Sequence, residues 1–249
     1  LTPMDEVLKT GGLIFFPTHP SFDAYAGLFR QEYIPRSFRV TTYITLIGTL
    51  INLVLTILLA YPLSRKSLPG RKGFLLFIVF TLLFSGGMIP TYLIVKQFHL
   101  VDTIWALIFP NAVWTFNTLV MKSYFEGIPE DLFESAKIDG AGEFTILGKI
   151  AIPLSRPVLM TILLFYMVGH WNEFFQAILY ITKPELNPLQ VIVRQIILQS
   201  TMTENVDITI PTQTLQSAVV IFACVPVIVV YPFIQKYFTK GMMLGAIKG

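Results

Sequence analysis

Five stretches of this chain, residues 40–63, 74–95, 103–121, 158–181 and 215–237, are each long and apolar enough to cross a bilayer, where a helix needs about 20 mainly apolar residues. Inside hydrocarbon every backbone N–H and C=O has to bond within the protein, so spanning segments are helices or closed barrels. Apolar runs of this length predict helices, and with them an all-α membrane protein. The third stretch is the weakest, because Pro110, Asn111 and Asn117 interrupt it. Composition agrees with the pattern. Hydrophobic residues make up 54% of the chain and charged residues 13%, against about a quarter charged in soluble domains.

Lys and Arg set the expected orientation, since they concentrate in short cytoplasmic loops. Arg65, Lys66, Arg71 and Lys72 follow the first span, and Lys122, Lys137, Lys149 and Arg156 follow the third. The second connection holds only Lys96, and the fourth Lys183 and Arg194. The expected layout is therefore an extracytoplasmic segment 1–39, a membrane domain 40–237 with a cytoplasmic loop 122–157, and a cytoplasmic tail 238–249. A polar segment as long as 1–39 needs something to carry it across, so a further spanning helix is expected upstream of this sequence. Cys224 stands alone in an apolar run and reads as a small buried hydrophobe. A net charge of +3, scattered along the chain, gives no footprint for nucleic acid.

The loop after the third span carries the most information. Pro129 suits the first helical position, and Glu130 and Asp131 suit the positive end of the helix they open. Leu132, Phe133, Ala136 and Ile138 supply apolar contacts, and Gly140 is a natural stop. A second short amphipathic helix is expected next, with Phe144, Leu147 and Ile150 on one stripe and Pro153 ending it. Helix, tight turn, helix below a membrane bundle describes either a docking element for a partner or a solvated loop with ordinary caps. The physical pattern alone fits both.

Glu134-Ser-Ala-Lys-Ile-Asp139-Gly140-Ala141, followed by Ile150-Ala-Ile-Pro153, resembles the EAA loop of binding-protein-dependent ABC importer permeases. Ser135 replaces the first Ala of that pattern and Ile152 its Leu. Gly87-Met-Ile-Pro-Thr-Tyr, Trp171-Asn-Glu-Phe-Phe and the tail from Gly241 to Gly249 are similar to the carbohydrate branch, and the likeness covers nearly the whole chain. The resemblance implies a type I ABC importer transmembrane subunit with five spans here and one more upstream, in the bacterial cytoplasmic membrane. It implies that Glu134, Ala136, Asp139, Gly140 and Ala141 form a coupling helix seated on a separate ATPase dimer, with the tail also touching that dimer. The implied partners are a second, different permease, the ATPase dimer, an extracytoplasmic solute-binding protein and an oligosaccharide cargo. ATP and Mg would be bound by the ATPase, leaving no cofactor in this subunit. An importer of another solute, or less readily an ion-coupled secondary transporter, is the alternative.

Chemistry-bearing motifs are otherwise missing. Gly142 to Gly148-Lys149 has five intervening residues and Ile150 where a phosphate loop has a hydroxyl. His19, His99 and His170 form no metal or catalytic pattern, so the subunit reads as non-enzymatic. The fourth span carries Tyr166, Gly169, Glu173, Gln176 and Tyr180 at helical spacing, with Trp171 and Asn172 beside them. Polar groups at that depth either line a wet translocation path or hold helices together, and both readings stand. Asn52, Asn111 and Asn117 read as packing residues, and Gly86-Gly87 with Pro90 as a kink or close crossing.

Overall fold

The computed structural model describes residues 22–202, 215–230 and 232. The described residues are mostly helical and contain no strand. A short helix α1 (Asp23–Arg30) leads into α2 (Tyr33–Ser64), whose 32 residues span about 48 Å at 1.5 Å per residue. That exceeds the thickness of the hydrocarbon core, so α2 starts before the expected residue 40. The pattern around α2 is inverted relative to a soluble helix. Leu46 and Leu50, each 59% exposed, face outward with Tyr43, Val54 and Leu58. Ser37, Thr41, Thr45, Thr49, Asn52 and Thr56 recur every three or four residues and are buried. Lipid is the solvent outside, so apolar side chains belong there and hydroxyls and amides turn inward to find partners.

Those partners lie on other helices. Thr41 Oγ1 accepts from the Leu189 backbone N–H at 2.7 Å. Asn52 Nδ2 lies 3.0 Å from His170 Nε2 and 3.3 Å from the Asn111 carbonyl oxygen. Thr56 and Tyr166 share a hydroxyl–hydroxyl bond of 2.7 Å, and Tyr166 Oη accepts from the Trp114 N–H at 3.1 Å. Each such bond contributes about 0.6 kcal/mol on average within a membrane bundle. The seam stabilises α2 against its neighbours by adding several of them.

The remaining spans are more broken than the apolar runs suggest. The second is two helices, α3 (Arg71–Leu83) and α4 (Met88–Gln97), meeting at 114°. Gly87, at φ 84°, takes a backbone conformation open to glycine at the break, so the expected kink is a sharp turn. No residue of α3 is buried, in keeping with its apolar circumference. The third run has two 3₁₀ turns, Ile104–Leu107 and Phe109–Asn111, before α5 (Thr115–Glu126), with a 51° bend between. Pro110, which has no N–H to donate, sits in the second turn. Next come α6 (Glu130–Ile138) and α7 (Glu143–Leu154). α7 ends at Leu154, one residue past Pro153, close to the expected stop. The helix passes through a π turn at Leu147–Ala151 and bends 85° at Ser155 into α8 (Arg156–Trp171).

The fourth run also divides. α8 stops at Trp171, and a new helix, α9 (Phe175–Tyr180), begins after a non-helical step at 172–174. The single polar face expected from Tyr166 to Tyr180 is therefore not formed. A helix not anticipated from the sequence, α10 (Leu189–Met202), follows, and then α11 (Leu215–Val230), where Cys224 is exposed on the helix's apolar outer side rather than buried as expected. The expected tail contact, residues 241–249, and residues 1–21 lie outside the described residues.

Asp102, at φ 59°, caps the turn after α9. Its carboxylate accepts from the Thr182 N–H at 2.5 Å, the Thr182 hydroxyl at 2.6 Å and the Lys183 N–H at 3.1 Å. The Thr182 bonds, the hydroxyl's first, hold this carboxyl below its ordinary value. A lowered carboxylate pKa stabilises at pH above the unfolded value and loses that contribution as pH falls through the folded one. Amide protection at Thr182 and Lys183 is expected to drop on acidification through that window. Asp102→Asn should lower protection at neutral pH and abolish the pH dependence, as read by hydrogen exchange. Unchanged protection would mean that other contacts hold the turn.

Candidate functional site

The end of the bundle where α2 finishes is built from α6, α7 and the turn between them. Glu130 and Asp131 open α6 and Lys137 closes it, each with the sign that the helix ends favour. Phe133 and Ile128 tuck under the cluster of Tyr61, Phe125, Ile146 and Tyr166, which roots the loop in the bundle. The helix ends in a Schellman turn. The Ala141 N–H reaches the Ala136 carbonyl at 2.9 Å, and the Gly140 N–H reaches that of Lys137 at 3.0 Å. Gly140 adopts φ 79°, which the turn requires. Ala136 and Ala141 are half-buried against the cluster. Glu134 and Asp139 are exposed and make no side-chain hydrogen bond or ion pair among the described residues.

Sequence reasoning placed Phe144, Leu147 and Ile150 on one stripe, and the structure separates them. Leu147 is buried and Ile150 packs on the cluster, whereas Phe144 is 83% exposed. Ile138, at the other side of the turn, is 86% exposed. The turn thus presents two bare apolar side chains flanked by unpaired carboxylates. Exposed apolar groups rimmed by charge mark an interaction surface.

A polar relay behind the turn was not read from the sequence. Arg65, one residue past α2, sits over the Phe133 ring with its guanidinium carbon 3.4 Å from the centroid. It also donates to Tyr61 Oη at 2.9 Å, and Tyr61 in turn donates to Glu143 Oε2 at 2.8 Å. Lys137 Nζ meets Glu143 Oε1 at 2.8 Å. Lys137 first, then Tyr61, holds the Glu143 carboxyl below its ordinary value, and Glu143 raises Lys137. One side chain of α2 and one beyond its end therefore grip both α6 and α7. A second clamp joins Arg71 and Lys122 to Glu126, tying α3 to α5. In the sequence Arg65 and Lys137 registered only as topology-setting charges.

Residues 40–244 match the family described as "Binding-protein-dependent transport system inner membrane component". The chain belongs to that family. Two curated relatives from Bacillus subtilis (strain 168) cover almost all of this permease. Protein LplC is 45% identical over 247 residues, 97% of this chain and 84% of its own length. The polygalacturonan/rhamnogalacturonan transport system permease protein YtcP is 46% identical over 250 residues, 98% of this chain and 87% of its own. Among solved structures, a bacterial ABC transporter involved in the import of the acidic polysaccharide alginate superposes with a TM-score of 0.85 at 32% identity. The match covers 92% of this permease and 84% of that chain. The fold is accordingly that of a type I ABC importer transmembrane subunit.

The residues expected along a substrate path lie in two environments. Tyr166 is fully buried in its bonds to Thr56 and Trp114. Trp171 is buried and donates Nε1–H to the Ala223 carbonyl at 2.9 Å. Tyr180 is buried and stacks on Tyr92 with centroids 6.1 Å apart. Asn172 is exposed, with its Nδ2 bonded to the Val168 carbonyl, and Glu173 Oε1 accepts from the Gln176 N–H at 3.1 Å to start α9. Glu173 and Gln176 are half-buried at the break between α8 and α9.

Proposed function

We propose that this permease forms one membrane half of an ATP-driven importer for sugars or oligosaccharides, with the 128–154 loop as its contact to a separate ATPase dimer. The Schellman-closed turn carries this reading. It holds Gly140 in a fixed left-handed conformation and presents Glu134, Asp139, Ile138 and Phe144 outward, and Arg65 and Phe133 fasten it to the long helix α2. Motion imposed on the turn would reach α2 through the Arg65–Tyr61–Glu143 relay, and from α2 the rest of the bundle. In this reading ATP and Mg belong to the ATPase, and the permease itself is not catalytic. A second, different permease completes the path, a solute-binding protein delivers cargo from outside, and the complex lies in the bacterial cytoplasmic membrane among its lipids. The loop is cytoplasmic, and the 182–202 segment lies on the side of the binding protein. Asn172, Glu173 and Gln176 are the candidates to line the path, whereas the bonds of Tyr166, Trp171 and Tyr180 favour a role in holding helices together.

Sugar cargo is supported by the likeness to YtcP, a polygalacturonan/rhamnogalacturonan permease, and to the alginate importer. Affinity purification in mild detergent is expected to bring down an ATPase and a second permease. Liposomes carrying that complex should take up oligosaccharide only with binding protein outside and ATP at the ATPase face. Uptake driven by an ion gradient without the ATPase would overturn the reading.

A further inference from the structure

At the opposite end of α2 from the coupling turn, a groove of about 600 Å³ runs between the first turn of α2, the segment after α9 and the first turns of α10. Its volume falls in the range of small-molecule sites, about 300–1,000 Å³. Isoleucine and valine side chains supply most of its apolar lining. Tyr33, Arg36, Thr182, Asn187 and Gln195 bring polar groups to it.

Of the residues lining the groove, Arg36 alone carries a charge. It is half-buried and pairs with no carboxylate among the described residues. A guanidinium in that position is a planar fork awaiting an anion, and carboxylate and phosphate are the groups it fits in bidentate fashion. Tyr33, 41% exposed, offers a ring that suits an apolar C–H face with a polar rim. Asn187 and Gln195 supply amides able both to donate and to accept, as sugar hydroxyls require.

Two walls of the groove are held in place by contacts already described. Asp102 fixes Thr182 and Lys183 through three hydrogen bonds, and Thr41 fixes the start of α10 through the Leu189 N–H. The polar side chains are thus mounted on anchored backbone, which lowers the ordering cost of binding.

We propose that this groove is a docking site for an acidic oligosaccharide, with Arg36 meeting a uronate carboxylate and Tyr33 packing on an adjacent pyranose face. The proposal rests on the importer reading above and adds to it the charge class of the cargo and its first contact on this subunit. Charge complementarity points to an acidic rather than a neutral sugar, and YtcP and the alginate importer are named for acidic polysaccharides.

The test uses the purified importer complex in nanodiscs, without binding protein, and two probes of equal length, trigalacturonate and maltotriose. Saturation-transfer NMR titrations should show trigalacturonate binding more tightly to the unmodified complex. Arg36→Gln should weaken trigalacturonate by about tenfold or more, the scale of a charged hydrogen bond, and leave maltotriose unchanged. Arg36→Lys, which keeps the charge without the fork, should fall between. Tyr33→Ala alters an exposed side chain and should weaken both sugars, so it keeps the test open if Arg36 variants assemble poorly. Equal affinity for the two probes, or equal loss of both in Arg36→Gln, overturns the proposal. So does a loss confined to association with the binding protein, which would make the groove a protein contact. A complex that takes up no sugar with ATP fails the importer reading itself. One that imports sugar while showing no charge preference fails only the groove.

Discussion

Gly140→Val is expected to abolish the stimulation of ATP hydrolysis by substrate-loaded binding protein, while both permeases still insert and pair. At φ 79° Gly140 lies where a side chain crowds the backbone, at a cost of about 1–2 kcal/mol for ordinary residues and more for a β-branched one. A Cβ built there meets nothing within 4 Å. The penalty therefore falls on the conformation of the turn and not on packing. The chain can relieve it by opening the Schellman turn, which releases the Ala141–Ala136 bond and moves Glu134, Ile138 and Asp139 relative to Phe144. A graded series separates conformation from bulk. Gly140→Asn, a residue that tolerates the left-handed region, should retain most of the stimulation, Gly140→Ala should be intermediate and Gly140→Val inactive. Full stimulation in the Val variant would remove the turn from the coupling path. Loss of permease pairing would show instead that the turn supports the fold.

The second large effect is expected inside the membrane, at the crossing of α2 and α8. A Cβ added to Gly48 would lie 2.6 Å from His170 Nε2 and 2.8 Å from its Cε1. The imidazole is buried and bonded to Asn52, so it has little room to yield. One added methyl must separate the helices or break the Asn52–His170 bond. Overpacking of this kind costs about 1–3 kcal/mol. Gly48→Ala should lower both the yield of folded complex and its thermal midpoint, followed by fluorescence-detected gel filtration. Removing the opposing ring should relieve the clash. Gly48→Ala combined with His170→Ala is expected to be no worse than His170→Ala alone, a non-additivity that marks direct contact. Additive losses would place the two residues in separate packing problems. Gly169, one residue before His170, faces the same limit from the Trp114 ring, 2.5 Å from its notional Cβ.

The membrane character and the helix–turn–helix loop were legible in the sequence because their signals are local. Apolar length marks a span, and Glu130, Asp131, Lys137 and Gly140 mark a capped helix and its stop. The helix breaks were harder to read. Hydropathy averaged over a window of span length smooths across 84–87 and 172–174, where the backbone leaves the helix and the few polar or small residues are outweighed by their apolar flanks. The face from Tyr166 to Tyr180 was drawn by carrying one helical period through such a break. The polar seam of α2 did leave a signal, since Ser37, Thr41, Thr45, Thr49, Asn52 and Thr56 share helical spacing. It passes unnoticed if polar residues are assumed to point away from the bundle. The Arg65 relay left no comparable trace, because Phe133 and Glu143 approach Arg65 only through the folding of α6 and α7.

The seam also bears on the order in which the protein is made. Asn52 and His170 are separated by 118 residues, and Thr56 and Tyr166 by 110. At about 5–20 residues per second, α2 leaves the ribosome on the order of ten seconds before the helix that satisfies it. For that interval its hydroxyls and its Asn52 amide have to be sheltered by the insertion machinery or by one another. A nascent chain stopped short of residue 166 would present a span polar along one side to the lipid, which is a form that membrane proteases and chaperones could distinguish from the finished bundle. The Asn52–His170 and Thr56–Tyr166 bonds thus report that synthesis has passed α8.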